Sequence, residues 1–334
     1  MKKRNLTLKD ASISFLIAFI ASQLMIIFGE LILSAILSLF DFSSYEIAHF
    51  FEKPIGYLII ALFQFIAFVG VFIFYSKKTT IAENCLKEKP KTLASILFVL
   101  AGLATMFLLN YFINYYTLFL NLIDKPTAVI SYALDNKSSY FISIISLCLF
   151  PAIGEELIFR GIICNTLKTK NNALAICLSS VMFALFHFNL SQLFYPLFFG
   201  IILSVAYIYT KNLIVPILIH FVNNFVNITI QYFSESSSFL IGTNNFIGML
   251  ILAILWIVLV GILFIALNKK EKQEETNSVE NQEQEEQNNK QKAQIKNNTT
   301  KSYIANYKAI FKSEKFLFYF PLIFMICIYI IITL

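Results

Sequence analysis

Charge is scarce in this sequence. Of its 334 residues only 14% are Asp, Glu, Lys or Arg, while 58% are hydrophobic and 36 are Phe. Ordinary soluble chains run at about 25% charged and about 45–50% apolar. A water-soluble core of this size has no use for so much apolar surface, which excludes a soluble globular protein and implies an integral membrane one. Cysteine offers no framework either. Cys85, Cys148, Cys164, Cys177 and Cys327 are scattered without a CxxC pair, which argues against disulfide bracing and against a thiolate metal site. No GxSxG, Walker A or HExxH pattern occurs, so a serine nucleophile elbow, a phosphate-cradling loop and a zincin-type helix are all unsupported. The net charge of +6 is spread over particular loops and forms no stripe, so no nucleic-acid role is inferred. Histidine is rarer still, at three residues: His49, His187 and His220.

What the chain does have is a series of long apolar runs, which predict an all-α, polytopic transmembrane helix bundle of about eight core spans plus a C-terminal ninth. The expected spans are Ala11–Phe40, Pro54–Tyr75, a third within Thr92–Ile123, and a fourth starting near Ser138. Asn172–Leu190, Ser191–Tyr209, Asn212–Phe233 and Asn245–Leu267 follow, and Phe316–Leu334 is the ninth. Residues 1–91 then hold the first two spans and a hydrophilic loop, and residues 92–267 a core of spans three to eight. Residues 268–301 are almost entirely Lys, Glu, Gln and Asn and predict a disordered linker. Residues 302–334 combine an amphipathic surface helix with the last span. With nine spans, 23 of the basic residues fall on the side that includes the N-terminus and 3 on the other. The positive-inside rule therefore predicts a multi-pass cell-membrane protein with a cytoplasmic N-terminus.

Three short patterns break the apolar monotony: Glu155-Glu156 with Arg160, Phe183 with His187, and His220 with Asn224. An unpaired charged residue at a helix centre costs roughly 2.5–3.5 kcal/mol to insert, so these three ionisable groups would together cost roughly 8–10 kcal/mol if left unpaired. The fold must satisfy them. Glu156 and Arg160 are four apart and share a helix face, so they can pair, while Glu155 is turned about 100° away and stays free. Counted from a turn near Lys170, Glu155 and His187 reach similar depths of roughly 23 and 26 Å on antiparallel neighbours. His220 is nominally shallower, at roughly 14 Å, and needs Pro216 or a dipping loop to meet them.

The residue types suit hydrolysis driven by water. A desolvated glutamate can take a proton from water, a neutral histidine can share that task or bind a metal, and a second histidine with an asparagine amide can hold an oxyanion. Glu155, His187 and His220 would also serve as three ligands to a divalent metal such as zinc, with water in the fourth place. The residues suit a metal-free mechanism as well.

The three patterns, in this order and in separate apolar segments, resemble the CPBP intramembrane proteases (CAAX proteases and bacteriocin-processing enzymes, also called the Abi family). That family's pattern is EExxxR, FxxxH and HxxxN or HxxxD, and the resemblance covers roughly residues 90–235. It implies an intramembrane endopeptidase, of a kind often classed with the metalloproteases, acting on a membrane-associated or C-terminally modified peptide. It implies that Glu155 and His187 activate water, that His220 and Asn224 stabilise the oxyanion, and that Glu156 and Arg160 support them. The partners implied are a peptide or membrane-protein substrate and the lipid bilayer. Two rival readings use the same residues: a non-catalytic immunity or scaffold protein of the same fold, and a transporter with a Glu/His proton relay. His49 is expected in an external loop, and Gln64 and Asn110 as polar contacts between helices.

Overall fold

A computed structural model describes residues 3–86, 88–89, 92–123, 125, 134, 136–233 and 258. The described residues are helical, with two isolated bridges and no strands, as the apolar runs predict. The helices are α1 (Leu8–Leu39), α2 (Ser44–Phe51), α3 (Pro54–Lys78), α4 (Ile81–Cys85) and α5 (Thr92–Leu122). They continue with α6 (Lys137–Leu167), α7 (Asn172–Phe186), α8 (Leu190–Thr210) and α9 (Ile214–Tyr232). Among the described residues, six of these (α1, α3, α5, α6, α8 and α9) are long and apolar enough to cross a membrane. The expected spans in 245–267 and 316–334, the linker 268–301 and the surface helix in 302–314 lie outside the described residues.

One expected span is shorter than the sequence suggests. The apolar run Asn172–Leu190 yields a helix of only 15 residues, ending at Phe186 with His187 as its C-cap. Phe188 follows at φ 46°, in the left-handed region, and turns the chain directly into α8. Fifteen residues make about 22 Å of helix, less than the roughly 30 Å hydrocarbon thickness.

One end of the bundle is tied by backbone contacts. Arg4 N donates to the Lys78 carbonyl and Thr80 N to that of Arg4, binding the N-terminus to the end of α3. Arg4 also pairs with Asp10 at 2.6 and 2.7 Å, and Thr7 with Asp10 forms a capping box on α1. The α8–α9 turn docks at the same end. Leu213 N donates to the Cys85 carbonyl at 2.8 Å, and the Asn212 side chain donates to that of Glu88 at 2.8 Å. The N-terminus, the loop after α3 and the α8–α9 turn thus share one end, as the loop alternation predicts. Arg160 is fully buried within α6, as its place in an apolar run predicts.

α6 lies at the centre of the structure. It contains two wide-turn π segments, Ile144–Leu149 and Leu157–Cys164, flanking the α-helical Phe150–Glu156 that carries the carboxylates. Such segments recur at functional sites, because they free backbone groups and re-aim side chains. Aromatic side chains pack round it: Phe159 lies edge-on to Phe15, Phe183 and Phe186, with centroids 6.2, 5.1 and 5.5 Å away. A second buried cluster joins α5, α8 and α9 through Phe98, Phe199, Leu203 and Ile219. Outer faces, such as Ile27, Phe28, Leu31 and Ile32 on α1, are exposed and apolar, as lipid contact requires.

Gly154, next to the carboxylates, lets α3 approach α6 closely. A Cβ there would lie 2.8 Å from the Phe68 ring, which is itself buried. Gly154→Ala is therefore expected to destabilise the fold by about 1–3 kcal/mol, as overpacking does. Thermal unfolding in detergent measures it, and Gly70→Ala, where nothing lies near the new methyl, serves as the control.

Candidate active site

Glu156 and Arg160 lie on one face of α6, and both side chains are wholly buried. Arg160 Nη1 donates to Glu156 Oε1 at 2.8 Å, Nη2 donates to the Gly200 carbonyl of α8 at 3.0 Å, and the guanidinium stacks 4.6 Å from the centroid of the Phe183 ring. Gly200 is required for this approach, since a Cβ there would crowd Ser180 at 3.2 Å and Arg160 Nη2 at 3.3 Å.

His220 of α9 reaches the same carboxylate. Its Nδ1 lies 2.9 Å from Glu156 Oε1. A carboxylate already paired with arginine only accepts, so Nδ1 carries the proton and donates. The other ring edge turns to Glu155, with Nε2 3.9 Å from Glu155 Oε2. One imidazole thus bridges the two carboxylates, Glu156 holding it and Glu155 facing its free nitrogen. The depth shortfall expected for His220 is absent. The wide turns of α6 take up residues with less rise, and the α8–α9 turn is itself buried at Asn212 and Leu213.

His187 is oriented by the end of its helix. The last carbonyls of a helix lack partners, and His187 Nδ1 lies 2.9 Å from that of Phe183, one turn back. A carbonyl only accepts, so Nδ1 holds the proton and Nε2 is left as the basic nitrogen. Phe183 separates the two imidazoles, lying edge-on to both with centroids 5.1 and 5.9 Å away.

Asn224 is fixed by a chain of hydrogen bonds. The Tyr195 hydroxyl donates to Asn223 Oδ1 at 2.5 Å, Asn223 Nδ2 to Asn224 Oδ1 at 3.0 Å, and Asn224 Nδ2 to the Leu147 carbonyl at 3.0 Å. Leu147 lies in the first π segment of α6, where the ladder is widened. This relay uses one of the two Nδ2 protons of Asn224 and leaves the other available.

Glu155, His187, His220 and Asn224 all line one cavity of about 550 Å³ between α5, α6, α8 and α9. Glu156 and Arg160 lie beneath it. Tyr195, Asn223, Asn227, Asn110 and Gln192 line it too. Of these, the sequence identified Asn110 only as a helix contact, while Asn223 and Asn227 lie one and three positions from Asn224. Tyr195 and Gln192 carry no sequence signal, because they come from the start of α8, whose packing is not local. His49 is remote, exposed on α2 and paired with Glu52 at 2.8 Å. The donor chemistry of Glu155, His187 and His220 suits zinc. As placed, however, no three His, Cys, Asp or Glu side chains among the described residues lie close enough to share an ion.

The family model described as type II CAAX prenyl endopeptidase Rce1-like matches residues 137–226, from the start of α6 to beyond Asn224. The membrane-embedded CAAX protease MroQ of Staphylococcus aureus (strain USA300) is 39% identical over 94 residues, which are 25% of this chain. The match spans 35% of that relative's length. No solved structure matches the chain.

Removing one partner of a buried ion pair strands the other. Arg160→Ala is expected to destabilise the protein by about 3–5 kcal/mol, more than the paired replacement of Glu156 and Arg160 by Gln and Met. Denaturant titration of the purified single and double variants tests the order.

Proposed function

We propose that this protein, whose residues 137–226 match the Rce1-like type II CAAX prenyl endopeptidase model, is an intramembrane endopeptidase that hydrolyses a peptide bond of a membrane-associated peptide with the chemistry of a CAAX protease. The observation that supports it most is the meeting of Glu155 with His220, 3.9 Å apart, on a cavity that His187 and Asn224 also line.

In this reading a water molecule lies between Glu155 and the basic Nε2 of His187. Glu155 takes one of its protons while the oxygen attacks the scissile carbonyl carbon. The oxyanion that forms is held by the spare Nδ2 proton of Asn224 and by His220, whose Nε2 donates when the ring carries both protons. Glu155 then passes its proton to the amide nitrogen as the C–N bond breaks, giving a carboxylic acid and an amine. Glu156 and Arg160 touch no reacting atom. They hold His220 with its Nε2 edge towards Glu155.

Glu155→Gln and His187→Ala are each expected to lower kcat by at least about 100-fold in a purified-protein cleavage assay, with little change in melting temperature. Unchanged turnover in both variants would refute the assignment. The steps above call on no metal, so turnover is expected to stay within about twofold after exhaustive chelation. Loss on chelation with recovery on adding zinc would move Glu155, His187 and His220 to ligand roles.

The lysine-rich end that holds the N-terminus faces the cytoplasm in this reading. An N-terminal reporter fusion is expected to be active only as a cytoplasmic reporter, and a fusion within 41–53 only as an external one.

A further inference from the structure

The cavity extends away from the catalytic groups in one direction, along α9. His220, Asn223, Asn224, Asn227 and Gln231 stand at positions i, i+3, i+4, i+7 and i+11 and form one face of that helix, and all of them line the cavity. From His220 to Gln231 this face is about 16 Å long, and it ends at an exposed residue on the side away from the α8–α9 turn. Asn110 of α5 and Gln192 of α8 face the same space. The wall is rich in carboxamides. Among the described residues no lysine or arginine lines it, and the one buried guanidinium beneath, Arg160, is engaged by Glu156, Gly200 and Phe183.

A carboxamide presents two donor protons and two acceptor lone pairs, which matches a peptide group. The relay through Tyr195, Asn223 and Asn224 uses only part of that capacity. A terminal carboxylate has different needs. Three residues beyond a scissile bond it would lie about 10 Å from the cut, still within this wall, and it would be desolvated there with no cation among the described lining residues. An extended chain of about five residues, in contrast, has the length of the wall and finds a neutral partner at each step.

Resting on the endopeptidase reading, we propose that the carboxamide wall of α9 is a subsite for the main chain of an internal peptide segment, and that it does not read a free terminal carboxylate. The substrate class is a peptide cut at least about five residues from its free C-terminus, or one whose C-terminus is neutral.

The test uses one pool of random 14-residue peptides prepared with free-acid and with amidated C-termini, and full-length protein in liposomes. Mass spectrometry maps the cleaved bonds. The two pools are expected to be cut at rates within about twofold of each other, at bonds about five or more residues from the end. Cuts concentrated three residues from a free terminus, with amidation slowing them about tenfold or more, would overturn the subsite while leaving the hydrolase reading intact. Binding of the same pools to the Glu155→Gln protein reports on the subsite without turnover. Equal retention of acid and amide supports it, even if nothing is cut and the hydrolase reading fails, and a tenfold preference for acid overturns it. Asn227→Leu is expected to weaken retention of both pools about fivefold or more. Gln231→Lys, at the exposed end of the wall, is expected to shift preference towards the free acid, and no shift in either variant counts against the subsite.

Discussion

A guanidinium and a carboxylate with no exposure to solvent organise this bundle. Arg160 and Glu156 belong to one helix, but neither is satisfied within it. Arg160 needs the Gly200 carbonyl of α8 and the face of Phe183 on α7, and Glu156 accepts a hydrogen bond from Nδ1 of His220 on α9. In an apolar medium each missing partner costs several kcal/mol, so four helices are drawn to one point. The cavity is where their remaining polar groups face one another. The pair therefore sets both the packing and the position of the imidazole opposite Glu155.

Two carboxylates adjacent in sequence acquire opposite duties through a turn of about 100° between them. Glu156 points into the packed interior, where its Oε1 accepts from both Arg160 and His220. Glu155 points into the cavity and keeps its oxygens for other work. The same division applies to the two histidines. Each Nδ1 is committed, one to a carboxylate and one to a helix-end carbonyl, so each Nε2 is the working nitrogen.

Much of this arrangement was legible in the sequence, because it depends on local spacing. The Glu156–Arg160 pair follows from an i, i+4 relation, and the apolar runs announced the spans. The end of α7 at Phe186 was not legible. No Gly or Pro follows His187 to stop the helix, and tertiary packing decides that His187 caps it. The wide turns of α6 are not legible either, because most of its positions are apolar and an altered pitch leaves no mark in such a run. Tyr195 carries no signal in the sequence, and only the fold brings it to Asn223. The sequence held Glu155, Glu156, Arg160, His187, His220 and Asn224, but not Tyr195 or Gln192, which α8 brings to the cavity.

The shortness of α7 has a consequence for the lipid around it. Its outer face, with Leu174 and Cys177, is exposed, so acyl chains meet a helix about 8 Å shorter than the bilayer's usual oily slab. The leaflets must pinch together there, at a cost of fractions of a kcal/mol for each ångström of mismatch. Water consequently comes nearest to the depth of the cavity beside the histidine that ends this helix. A protein shaped in this way favours thin membranes and will be sensitive to acyl-chain length.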